Sequence, residues 1–323
     1  MKIETIYRRA VAAGIANDPR GPEAVGRLLD EEKAKAEKMT AAEKEAWEAD
    51  RLFNPYADTR ILAGDPAAEA RKAIVGIDMD ASEVLLAHTL NRDRAAGIDL
   101  VIAHHPQGTA LARLAEVMRV QADMLALMGV GISVAEQLLE KRMGEVERRL
   151  LPGNHGRSVD AARLLGLPLM CLHTPADNCV NTFLDRLFTT EKPARLKDLI
   201  ELLRNIPEYR AAVGRNTGPR IVSGAESARC GRISVEMTGG TEGARTIYDS
   251  YAAAGVSTIV SMHISEEALE NAKKAHLNIV LAGHLSSDTL GLNLLFDEIE
   301  REEKLEFVGV SGFVRTRAAE RSI

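Results

Sequence analysis

The sequence predicts an α/β protein built as two sandwich-like lobes with mostly parallel sheets, preceded by an N-terminal helical arm. Three observations carry that expectation. From residue 71 onward, apolar runs of strand length alternate with helical stretches, the pattern of parallel strands joined by crossover helices. With 323 residues and 46% hydrophobic content, the chain is long enough for about two cores. The opening differs: residues 22 to 52 are rich in Ala, Glu and Lys, and Thr40-Ala41-Ala42-Glu43 has the form of a capping box that starts a second helix.

The elements follow in order. Asn54-Pro55 ends the arm, residues 1–58, and Thr59 to Pro66 reads as a loop. The first lobe, residues 59–190, opens with a strand at Lys72 to Asp78, a helix at Ser82 to Ala96 and an apolar strand at Asp99 to His104. A helix over Ala110 to Leu127 comes next, then Val130 to Val134 as a short strand or helix entry, a charged helix over Glu136 to Leu151, and a strand at Pro168 to His173. The second region, residues 191–323, starts with a polar stretch around Lys192 to Asn216. Its strands lie near Arg232 to Met237, Val256 to Met262, Asn278 to Leu281 and Glu306 to Val310. Its last part, about 277–323, is expected to return and complete the first lobe. The two blocks could be distant duplicates, but their residues are too dissimilar to show it.

Composition excludes several function classes. The net charge of -6, with both signs interspersed, leaves no basic stripe for nucleic acid. Cys171, Cys179 and Cys230 make neither a disulfide framework nor a zinc knuckle, which fits a reducing cytoplasm. No segment approaches the ~20 apolar residues of a membrane helix, and the N-terminus has no signal-peptide pattern. A cytoplasmic protein with a small-molecule substrate is the expectation.

The chemistry lies at strand ends. Ile102-Ala103-His104-His105-Pro106 is an apolar strand running out into paired imidazoles, and Pro106 turns the chain out of the sheet. Leu172-His173-Thr174-Pro175-Ala176-Asp177 and Gly283-His284-Leu285-Ser286-Ser287-Asp288 repeat the arrangement, each with a carboxylate four residues beyond the histidine. Parallel strands gather their carboxyl ends on one edge, so three sequence-distant loops can meet there. A lone strand-end histidine is ordinarily packing or surface; three such ends with two carboxylates point to metal. Imidazole and carboxylate suit zinc, iron, manganese, cobalt or nickel. Five or six ligands exceed the needs of one tetrahedral ion, so two divalent ions bridged by a carboxylate is the natural stoichiometry. Asp288 has a plainer reading as an acidic residue in a first helical turn, which leaves His284 unexplained.

These three segments, with Asn181 beyond the second, resemble the signature motifs of the NGG-interacting-factor-like family of dinuclear-metal proteins, often described as GTP cyclohydrolase 1 type 2. The likeness runs from about Thr59 to Val310 and leaves out the arm. It implies that His104 and Asp177 hold one ion, His105 and His284 the other, and that Asp288 bridges them, with His173 beside the ions. It also implies a ring-like homo-oligomer, such as a hexamer, with the ions facing an internal cavity. The family has Glu where this chain has Asp288, one methylene shorter.

A second constellation, Thr238-Gly239-Gly240-Thr241-Glu242-Gly243-Ala244, follows a strand and is expected to lead into a helix at Arg245 to Ala254. Gly239, Gly240 and Gly243 could present backbone N–H groups to a substrate phosphate, with Arg215, Arg220, Arg229 and Arg232 upstream as neutralising charges. An ordinary strand-to-helix turn explains the glycines as well. His263, at another strand end, is a candidate for the same cavity, while His88, His155 and His276 have no partners at ligand spacing. The leading functional expectation is a metal-dependent hydrolase of a nucleotide or other phosphorylated heterocycle, with His173 or His263 moving a proton. The alternative is a non-catalytic metal-binding scaffold or regulatory partner.

Overall fold

The computed structural model describes residues 1–45 and 47–321. Two sheets organise it. The first contains β1 (Arg60–Ala63), β2 (Lys72–Gly76), β3 (Leu100–Ala103) and β4 (Leu169–Cys171). The second contains β5 (Arg220–Ser223), β6 (Arg232–Glu236), β7 (Val256–Ser261) and β8 (Asn278–Leu281), after which β9 (Glu306–Gly309) returns to the first sheet. The strand orders are β1-β4-β3-β2-β9 and β5-β8-β7-β6.

Apart from β9, the sheets share one plan. Three parallel strands are followed on one edge by an antiparallel strand that comes first in the chain. Arg60 faces Cys171 on one edge and Arg220 faces Leu281 on the other, and each edge slips register just after the next isoleucine, Ile61 or Ile221. The duplication invisible in the residues is therefore plain in the topology. The first edge strand falls in the stretch expected as a loop and the second in residues given no element: four residues of mixed polarity carry no period, and only pairing with a buried neighbour makes them strands.

Side-chain alternation sorts the parallel strands onto two cores. Val75, Ile102, Met170 and Leu172 face inward, while Ile74, Val101, Leu169 and Cys171 face an outer layer of helices. Inward lie the first helix, Ile3–Ala16, and two long helices, Thr174–Glu191 and His284–Ile299. The same two long helices offer Val180, Leu184, Phe188 and Leu290 to Val235, Val260 and Val280 of the second sheet. They are the shared middle layer of a five-layer stack. Each fully buried Leu or Phe there contributes roughly 1.5–3 kcal/mol of transfer free energy. Gly291 lets the pair approach closely, because a Cβ there would stand 2.6 Å from the Ala176 carbonyl oxygen.

Several boundaries differ from expectation, each for a packing reason. The first helix is no free arm, since Ile3, Ile6, Tyr7 and Ala10 belong to the inner core. Pro22–Lys38 does stand apart, with Val25 its one buried residue, and Thr40 and Glu43 close the expected capping box through Glu43 N–H to Thr40 Oγ1 at 3.3 Å. The helix expected over Ala110 to Leu127 is three short pieces, Gly108–Ala112, Leu114–Val117 and Arg119–Leu127. The last piece and Ile132–Leu150 cross over to cover the outer face of the second sheet, although they lie within residues 59–190. The polar stretch 192–216 contains two helices, Leu196–Asn205 and Pro207–Gly214. β8 stays in the second sheet, and the return to the first is made by the helix His284–Ile299 and by β9 pairing with β2.

Candidate metal centre

β3 ends at Ala103, and the next two residues are already turning out of the sheet. The His104 N–H still bonds Gly76 O, and the His105 N–H bonds Ile77 O, both at 2.9 Å. That opening resolves the strand alternation, which would otherwise send adjacent side chains to opposite faces. Ring centroids of His104 and His105 stand 5.3 Å apart, and His173 and His284 lie 4.9 and 5.3 Å from the nearer member of the pair. Asp177 comes in from the first turn of one middle-layer helix, whereas Asp288, the fifth residue of the other, lies beyond its first turn, so the plainer reading of Asp288 as a first-turn acid does not hold.

Asp288 is the hub. One oxygen lies 3.4 Å from His104 Nε2, and the other lies 3.5 Å from His105 Nε2 and 3.6 Å from His284 Nε2. Asp177 Oδ1 is 3.4 Å from His104 Nε2. The Asp side chain, although shorter than Glu, reaches three of the four imidazoles, His104, His105 and His284. His104 Nε2, Asp177 Oδ1 and both Asp288 oxygens are buried without a hydrogen-bond partner. Buried polar atoms are ordinarily satisfied, so four orphans converging on one point mark a missing charge. Groups such as His104, Asp177 and Asp288, or His105, His284 and Asp288, bring their donor atoms within 4.8 Å of one another and could hold a metal ion.

The outer nitrogens are held by groups the sequence did not single out. His173 Nδ1 lies 2.8 Å from buried Asp58, and Asp58 also accepts from Thr174 Oγ1 at 2.6 Å. His105 Nδ1 lies 2.6 Å from Asp78, and His104 Nδ1 is 3.2 Å from the Leu172 carbonyl. Fixing one ring nitrogen aims the other inward, as partners of metal-ligating histidines do. Asp58 is the last residue of the expected arm, and no histidine sits near it in sequence.

Without a metal, protons take its place. Burial opposes charge on His104, but Asp288 and Asp177 outweigh it and lift the imidazole to about 10. His105 is lifted to about 9 against the same burial, by Asp288 and Asp78. Burial would raise Asp288, yet the surrounding histidines hold it far below the usual carboxylate range. His284 is lowered by burial.

The cluster opens into a cavity walled by the second lobe, with His173, His263, His284, Gly240 and Gly243 on its lining. His263 stacks on His284 with centroids 4.9 Å apart. Packing accounts for the glycine-rich turn. The Gln121 amide donates to Gly239 O at 2.8 Å and Thr241 O at 2.7 Å, and a Cβ on Gly239 or Gly243 would come within 2.6 Å of Gln121. The helix starts at Tyr248 rather than Arg245, so these glycines do not open it. Arg215, Arg220, Arg229 and Arg232 are exposed and lie off the cavity lining. Cys179 is buried in the inner core.

No family model matches the sequence, and no curated protein matches it. Solved structures do. A NIF3 superfamily protein from Sphaerobacter thermophilus is 28% identical, with 79% of this chain and 91% of that one covered, at a TM-score of 0.68. HcgD from Methanocaldococcus jannaschii, 15% identical over 77% of this chain and 87% of its own, shares the fold at a TM-score of 0.50. Fold and site together define a two-lobed α/β protein with a buried His/Asp cluster able to take a metal. These likenesses support a NIF3-like family for the chain.

Proposed function

We propose that the chain is a dinuclear metal-dependent hydrolase of a small molecule, with His104 and Asp177 serving one ion, His105 and His284 the other, and Asp288 both. The observation that carries this reading is the divided carboxylate of Asp288. Its two buried, unpartnered oxygens face separate sets of imidazoles. Zinc, iron, manganese, cobalt or nickel would suit the nitrogen and oxygen donors. When bound, such a pair supplies Lewis acidity to an oxygen of the substrate or of water.

The chain's own residues do the rest. His173, pinned at Nδ1 by Asp58, keeps Nε2 directed to Asp177 at 3.7 Å and can hold or release a proton there. His263 offers a second proton carrier on the cavity wall. Phosphate recognition is left out of the proposal, because the glycine turn is explained by Gln121 and no lysine or arginine lines the cavity.

Elemental analysis of the purified chain is expected to show two equivalents of divalent metal. A panel of nucleotides, phosphoesters, cyclic amides and amidines should include at least one compound hydrolysed by the loaded protein and untouched by His105→Ala. Full occupancy with no turnover would assign a scaffold role instead. We also propose a ring-like homo-oligomer in the cytoplasm. Exposed Leu127, Ile132, Val134 and Leu164 support the association and the free cysteines the compartment, and light scattering would test the assembly. No described helix is long and apolar enough to cross a membrane.

A further inference from the structure

The cavity lining holds a carboxyl group that the proposed chemistry does not use. Glu236 is the last residue of β6, and its side chain lines the cavity. Its Oε1 is buried with no hydrogen-bond partner among the described residues. Around it the lining is apolar and aromatic: Leu125, Ile247, Tyr248, Tyr251 and Ile259. Desolvation in these surroundings pushes the acid up to about 7, against the Tyr251 hydroxyl, which lowers it, and with nearby Glu242, which raises it.

The charge of the whole lining limits what can bind. Four carboxylates, Asp177, Glu236, Glu242 and Asp288, face the cavity, and no lysine or arginine does. The two aspartates belong to the histidine cluster, and Glu242 is committed to the Ser265 N–H at 2.6 Å. Glu236 has the Tyr251 hydroxyl beside it, yet its Oε1 has no donor among the described residues. An anionic ligand end there would meet an uncompensated carboxylate in a poorly solvated pocket, and a bare hydrocarbon would leave Oε1 unsatisfied. A nitrogen cation with parallel N–H donors on an apolar body meets both demands, since its charge and its donors match one carboxylate in a fork geometry.

We propose that Glu236 is the specificity group of this cavity and receives the amidine-type, N–H-donating end of a small apolar ligand. The part to be hydrolysed then extends towards the His/Asp cluster, a clause that rests on the hydrolase reading. The subsite itself does not.

Benzamidine, benzamide, benzoate and phenyl phosphate can be titrated calorimetrically into the full chain, metal-loaded and metal-free. Benzamidine is expected to bind at least ten-fold more tightly than benzamide in both forms, and benzoate not to bind the metal-free chain. Glu236→Gln should abolish the preference for benzamidine while leaving the metal content unchanged. Tyr248→Ala, which removes apolar wall without touching the carboxyl, should weaken benzamidine and benzamide alike. Equal binding of benzamidine to the wild type and Glu236→Gln would overturn the subsite, as would tighter binding of benzoate than benzamidine to the metal-free chain. A chain that takes no metal yet prefers benzamidine would overturn the hydrolase reading and leave the subsite standing.

Discussion

The two lobes are built on one plan and use it differently. Gly76 pairs with Ala103 in the first sheet and Glu236 with Ser261 in the second, so His104 and His105 have Met262 and His263 as counterparts. Cys171 and Leu281 stand beside those strands, which matches His173 with Gly283 and Thr174 with His284. In the first lobe the strand ends hold three histidines against two helix-borne aspartates. In the second, the same edge forms the wall of the cavity, and a glycine position tightly enclosed by Met79 and Ser311 is replaced by the carboxyl of Glu236. A shared topology decides where side chains converge; residue type and burial decide whether the convergence binds.

The contrast breaks most visibly at Asp288. Asp288→Ala is expected to lose the metal and to lower turnover on the order of 10^2 to 10^3-fold, while Asp288→Glu keeps both, as read by elemental analysis and the same assay. Next in size is the counterpart pair. His105→Ala should lose an ion, whereas His263→Ala should keep full occupancy and lose about 10^2-fold in turnover. Equal metal loss in both variants would show the second lobe to be a ligand donor and would erase the distinction.

A smaller effect separates the lobes by pH. In the metal-free chain His104 and His105 titrate near 10 and 9, above the ~6.5 of an unfolded histidine. Their stabilisation is complete below about 6.5 and is lost as pH rises through 9 to 10. Thermal melts after chelation should therefore fall over that range, and added metal should flatten the fall. A pH-independent melting temperature in the chelated protein would count against the proton-filled cluster.

Smallest is the comparison of the two edge turns, Gly64 with φ 93° and Gly224 with φ 98°. Alanine at either costs about 1–3 kcal/mol in backbone strain. Gly64→Ala should cost more, since its Cβ would press on the Pro168 backbone at 2.8 Å, whereas at Gly224 it meets the movable end of the Asn278 side chain. Chemical denaturation of both variants reads the difference.

Much of this was legible beforehand, for identifiable reasons. The parallel strands announce themselves because both faces are buried and the residues are continuously apolar, as in Leu100 to Ala103. The strand-end histidines stand out because polar residues abruptly end such runs. Arg60–Ala63 and Arg220–Ser223 were hidden, since an edge strand is specified by its neighbour rather than by its own pattern. Asp58 and Asp78 are brought to the histidines only by the turns around β1 and β2, and nothing local distinguishes them from surface aspartates. Glu236 carries no local signal within the strand expected near Arg232 to Met237, and only the fold sets it on the cavity lining with Tyr248 and Tyr251.

The path of the chain between Asp177 and Asp288 has a further consequence. The second sheet lies wholly between β4 and β9, so its strands form an insertion entered through one middle-layer helix and left through the other, while Arg119–Leu127 and Ile132–Leu150 reach its outer face from before β4. Both helices begin at the same cluster. An ion gripping Asp177 and Asp288 would tie off a loop on the order of a hundred residues, a cross-link that removes roughly 5 kcal/mol of chain entropy from the unfolded state. On the proposed reading such a tie would make the metal a fastener for the inserted strands as well as a reagent: proteases should then cut within residues 192–282 faster after chelation, long before the first sheet lets go.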